Sequence, residues 1–133
     1  MRTLFFTIVL SFLYLLTFAG KGEIVFVETA VELNKNGEAF IGYTVQYKIL
    51  SGEMHGFYFQ GNKNLTIKKF SEESYALDDY GNKYNLEINK VGNDIWDILL
   101  ANVKDISSGK ITYVFYFKTD FYEAGLFRQN LFK

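Results

Sequence analysis

The sequence predicts an all-β fold: an antiparallel, immunoglobulin-like β-sandwich of about seven strands, preceded by a signal peptide. Two observations carry the sandwich. Apolar residues recur with period two in almost every segment after residue 20, and turn-forming clusters interrupt those segments every ten residues or so. A third observation, the character of the first twenty residues, carries the signal peptide.

Arg2 gives that segment a positive start, and Leu4 to Phe18 is apolar apart from Thr7, Ser11 and Thr17. Thr17-Phe18-Ala19 supplies small residues at the −3 and −1 positions of a cleavage site after Ala19, and charge begins with Lys21 and Glu23. These are the marks of a secretory signal. The apolar stretch is shorter than the roughly 20 residues of a stable membrane span. The expected division is a signal peptide over 1–19 and one β-sandwich domain over 20–133, exported to a periplasmic, cell-surface or extracellular setting. An uncleaved anchor is the alternative.

The strands follow in order. Val25, Val27, Val31 and Leu33 point one way, with Glu28 and Glu32 the other. Asn34-Lys35-Asn36-Gly37 then marks a hairpin. Ile41, Tyr43, Val45, Tyr47 and Ile49 form one face of the second strand, with Gly42, Thr44, Gln46 and Lys48 on the other. Tyr84, Leu86 and Ile88 alternate with polar residues, as do Trp96, Ile98 and Leu100 with Asp97. In the last strong run Ile111, Tyr113, Phe115 and Phe117 share a face while Val114 and Tyr116 occupy the other, which predicts a central strand covered on both sides. Glu72 to Ala76 is the one candidate for a short helix. With no proline in the chain, Lys68, Lys69 and Lys118 are the residues expected to guard strand edges. The predicted core includes Tyr43, Val45, Tyr47, Trp96, Ile98, Tyr113 and Phe115.

Composition narrows function mostly by exclusion. No cysteine occurs, so disulfides, thiolate metal sites and a thiol nucleophile are absent. Beyond Arg2, thirteen basic residues stand interspersed among fifteen acidic ones, a pattern that suggests neither nucleic acid nor a polybasic membrane patch. The single histidine, His55, lies in a polar loop, and no serine sits in a nucleophile elbow. Asp78-Asp79-Tyr80-Gly81-Asn82 lacks calcium-loop spacing and reads as a turn. No catalytic residue, metal or cofactor is therefore assigned, and the chain is not expected to be an enzyme. Asn64-Leu65-Thr66 is a glycosylation sequon.

Aromatic residues are the compositional excess: ten of fourteen Phe, nine of ten Tyr and Trp96 lie after residue 20. Most fall on apolar faces. His55-Gly56-Phe57-Tyr58-Phe59-Gln60 and Phe121-Tyr122 break the alternation, which makes His55, Tyr58, Phe121 and Tyr122 the candidate interaction surface.

Taken together, Asn36-Gly37-Glu38-Ala39-Phe40, Thr44-Val45-Gln46-Tyr47, His55-Gly56-Phe57-Tyr58-Phe59, Asp79-Tyr80-Gly81-Asn82 and the closing Gly109 to Tyr116 run resemble the N-terminal extracytoplasmic domain of the DUF2207 family of predicted membrane proteins. His55 and Phe59 replace the two arginines of that family's corner, and its following proline is missing. The resemblance implies a non-catalytic binding domain, the outward part or soluble relative of a membrane protein, with a membrane or envelope protein as partner. The alternative is a secreted carbohydrate-binding or adhesion module that uses exposed aromatics.

Overall fold

The computed structural model describes residues 21–61, 65–103 and 105–125. The signal segment over 1–19 and the sequon asparagine, Asn64, lie outside the described residues. Eight strands are present among them: β1 (Lys21–Leu33), β2 (Glu38–Ser51), β3 (Gly56–Gln60), β4 (Lys69–Phe70), β5 (Tyr75–Asp78), β6 (Lys83–Gly92), β7 (Ile95–Leu100) and β8 (Lys110–Asp120). Every pairing is antiparallel, in the order β1-β2-β8-β5-β6-β7-β3, with β4 beside β8.

The all-β, antiparallel class follows from the period-two pattern. The strands follow one continuous path, and the sheet curls into a half-barrel. β6 is the reason. Asn85 pairs with β5 while Leu86, Ile88 and Lys90 pair with β7, so one twisted ten-residue strand carries the path from one layer to the next. β6, β7 and β3 then roll over the inner face of β2 and β8.

Residues 33–38 close as the expected hairpin. Gly37 has φ +87°, its N–H bonds to Asn34 O at 3.0 Å, and Asn34 N bonds to Glu38 O at 2.9 Å. Glu72 to Ala76 forms no helix: Glu72 and Glu73 make a turn and Tyr75 starts β5. Ser71 Oγ accepts the Glu73 N–H at 3.2 Å, a local bond that ends the turn early and frees the chain for pairing with β8.

The core lies between the layers. Val45, Ile49, Ala76, Ile98, Leu100, Ile111, Tyr113 and Phe115 are buried, with Tyr43, Tyr47, Phe57, Phe59, Phe70 and Trp96 packed half-buried around them. Aromatic rings from β3 close the space: Phe57 sits 5.0 Å from Tyr113, and Phe59 sits 5.2 Å from both Tyr43 and Phe115. Trp96 meets Phe70 edge-on at 4.7 Å. β8 is central as expected, between β2 and β5, but its outer face is only partly covered: Val114 is buried while Tyr116 is exposed.

Burial pushes the Tyr47 phenol up to about 12, from an ordinary 10.0. The neutral ring therefore supports the fold fully below pH 10, and that contribution is lost as pH rises through about 12. Chemical denaturation at pH 9 and at pH 11.5 is expected to show a lower midpoint at the higher pH, and Tyr47→Phe is expected to shrink the difference.

Candidate functional site

The four residues singled out from the sequence fall on two regions. Tyr58 lies on β3, opposite Asp97 of β7, and is 73% exposed. Alternation explains this, since Phe57 and Phe59 enter the core and leave Tyr58 outside. His55 precedes β3; its carbonyl accepts the Leu100 N–H at 2.8 Å and its imidazole pairs with Asp105. Beside Tyr58, partial desolvation and then the Glu87 carboxylate raise the Asp97 carboxyl above its ordinary value.

Phe121 and Tyr122 follow β8 and are half-buried against the β1–β2 turn. The Phe121 N–H bonds to Gly37 O at 2.8 Å, and Tyr122 Oη donates to Lys35 O at 3.0 Å. A Cβ on Gly37 would lie 2.0 Å from the Tyr122 ring, so this glycine serves both the left-handed turn and the close approach.

Both aspartates of the 78–82 turn accept hydrogen bonds. Asp78 Oδ1 accepts the N–H groups of Tyr80 and Asn82, each at 2.9 Å, and Oδ2 accepts Asn82 Nδ2 at 2.9 Å and Tyr84 Oη at 2.8 Å. The bond from the Asn82 side chain leads the effects that hold its pKa below the ordinary value. Asp79 Oδ2 accepts the Lys110 N–H at 2.8 Å, which ties the turn to the start of β8. Among the described residues no group of three or more His, Asp or Glu is placed to hold a metal.

A feature that residue patterning did not reveal is the open edge of the sheet. Among the described residues β1 is a terminal strand, paired on one side only, along thirteen residues. Its inner face follows from its register: Val27 lies opposite Val45, Val31 opposite Ile41, Leu33 opposite Ala39 and, past a bulge, Ile24 opposite Tyr47. Those β2 partners are buried or half-buried, yet Ile24, Val27, Val31 and Leu33 are 55, 51, 53 and 40% exposed. The rolled layer ends at the short β3, which seats its rings over β2 and β8. Of the lysines expected to guard edges none lies on β1: Lys118 pairs with Glu38 in central β8, while Lys68 and Lys69 lie just before and at the start of β4, which pairs only with β8 among the described residues. Their places were fixed by strand order, which alternation does not encode.

The outer face of β1 is acidic. Glu23 lies opposite Lys48, whereas Glu28 and Glu32 lie opposite Thr44 and Phe40, and no cation pairs with either among the described residues. Between them, Ala30 lies opposite Gly42, and Gly42 opposite Tyr116. A Cβ on Gly42 would lie 2.9 Å from Tyr116 Cδ1, so the tyrosine ring leans over the glycine. The result is a depression of about 400 Å³ lined by Glu28, Thr29, Ala30, Gly42, Thr44 and Tyr116.

A thirteen-residue edge whose outward backbone donors and acceptors meet no strand among the described residues, apolar on one face and anionic on the other, has the chemistry to add a strand. Among the described residues no helix is long and apolar enough to cross a membrane. Comparison of the chain with protein-family models and with curated proteins gives no match.

Proposed function

We propose that this chain is an exported, non-catalytic binding domain, the extracytoplasmic part or soluble relative of a membrane protein, and that it captures an extended segment of an envelope protein along β1. The observation that carries this reading is the exposed inner face of β1, because a long apolar strand edge is a template for strand addition. The DUF2207-like order of motifs and the signal-like start support the export half of the proposal. The partner's backbone would continue the ladder beyond β1 while its alternate side chains cover Val27 and Val31.

A second reading, the carbohydrate-binding or adhesion module, has one specific observation in its favour. Phe26, Phe40 and Tyr116 are exposed on the outer face of β1, β2 and β8. Edge capture is preferred because the largest uncovered apolar surface of β1 lies on the other, inner face. His55 and Tyr58, on the opposite end of the strand path, and Phe121 and Tyr122 at the hairpin tip remain candidate auxiliary contacts.

One experiment tests the reading. The full chain is expressed in a secreting host, and the mature protein is expected to begin near Gly20. Wild type and Val27→Lys/Val31→Lys are then compared for retention on washed envelope membranes. Inward-facing lysines block strand addition, so the variant is expected to melt like wild type and to lose at least about 90% of retention, a tenfold change that corresponds to about 1.4 kcal/mol. Cytosolic protein retaining Met1, or retention unchanged by the two lysines, overturns the proposal.

A further inference from the structure

We infer that the Gly42 depression is a specificity pocket for a lysine or arginine side chain of the incoming strand, so that the partner segment alternates apolar and basic residues. This rests on strand capture at β1 and adds the chemistry of what is captured. The argument begins with register. A strand added to β1 places alternate side chains on the inner and outer faces, and those on the outer face pass directly over Glu28, Ala30 and Glu32.

Ala30 and Gly42 are the two smallest side chains in that path. They leave a cleft next to the free edge, with Glu28 at its rim and the Tyr116 ring as its far wall. A long basic side chain opposite Ala30 lays its stem over Ala30 and points its head toward the Tyr116 ring that covers Gly42. Its cationic head meets the Glu28 carboxylate and the ring face, and both attract a cation. Glu32 lies two residues further along the same face, so a second basic residue two places away finds a second carboxylate.

Charge separates this occupant from the obvious competitor. Antiparallel pairing of β1 with a second copy about Thr29 leaves no like charges directly opposite. It does set Glu28 and Glu32 of one copy diagonally beside those of the other, four carboxylates that pair with no cation among the described residues. A basic strand neutralises the same face. The inner-face requirement is independent of this: Val27 and Val31 call for apolar residues at the alternate positions.

The test uses the full exported chain and three seven-residue peptides: alternating Lys and Val with one central Arg, the same sequence with Glu for every basic residue, and a scrambled basic peptide that groups its valines. Affinity is measured by fluorescence anisotropy at physiological salt. The alternating basic peptide is expected to bind at least tenfold more tightly than either control. Glu28→Lys is expected to cost at least tenfold, and Tyr116→Ser about three- to tenfold, with melting unchanged for the exposed Glu28 variant.

Equal binding of the acidic peptide, or basic binding that survives Glu28→Lys, overturns the pocket while leaving strand capture intact. Scrambled binding equal to alternating binding overturns it as mere charge attraction. Failure of all three peptides together with no effect of Val27→Lys/Val31→Lys overturns capture itself. Self-association abolished by Val31→Lys assigns the edge to a second copy, and a soluble β-glucan oligosaccharide that binds in a Tyr116-dependent way assigns the depression to sugar; either result overturns the inference.

Discussion

Replacing Phe115 by alanine is expected to cost about 3–5 kcal/mol of folding free energy, which is typical for removal of a fully buried aromatic ring. Phe115 is completely buried in β8, and the rings of Tyr43, Phe57, Phe59 and Phe70 lie 5.5, 5.9, 5.2 and 6.3 Å from its own. Those four rings come from β2, β3 and β4, so the cavity opens where three elements meet and none can collapse into it alone. Domains of this size are stable by about 5–15 kcal/mol, so the variant is expected to be marginal or unfolded at 37 °C. Thermal melting of wild type, Phe115→Leu and Phe115→Ala checks this. Leucine refills most of the volume and is expected to recover more than half of the loss. A drop below about 1 kcal/mol for alanine would show that the rolled layer does not press on β8.

Gly56→Ala is expected to be as damaging although it adds a single methyl group. A Cβ at Gly56 would lie 1.9 Å from Ile98 O, 2.8 Å from its carbonyl carbon and 2.9 Å from Leu99 Cα. All three are backbone atoms of β7, and no side-chain rotation relieves the overlap. β3 must move away from β7, taking Phe57 and Phe59 off the core, at a cost of about 3 kcal/mol or more, the upper end for overpacking. Gly92→Ala is the control. Its Cβ would meet only the Ile95 side chain, at 3.5 Å and beyond, so its melting temperature is expected to stay within a few degrees of wild type. Equal melting of the two variants would show that β3 and β7 are not held at this spacing. Loss of near-ultraviolet signal from Trp96 in Gly56→Ala alone would locate the damage in the rolled layer.

Gly56 also shows where residue patterning stops. His55 to Gln60 breaks alternation, which marks the segment as unusual, and Phe57 and Phe59 share a side as period two requires. That Gly56 is there because β7 backbone occupies the space of a Cβ follows only from the pairing of β3 with β7, strands some forty residues apart in the chain. The same holds for β1. Its two faces are legible in Val27, Val31 and Leu33 against Glu28 and Glu32, but an alternating strand looks alike whether its apolar face is covered or bare.

Local chemistry thus determined the class of this protein, the hairpin at Asn34–Gly37, the inward residues of β2, β6, β7 and β8, the turn at Asp78–Asn82 and the absence of thiol chemistry. Each depends on side-chain period, backbone preference or residue type within a few positions. Tertiary structure alone decided the curl of the sheet, the terminal place of β1, the removal of Lys118 from edge duty and the meeting of Gly42, Ala30, Glu28 and Tyr116. Those depend on strand order and layer extent, and the energy that selects an order comes from contacts between distant segments, which no local period records.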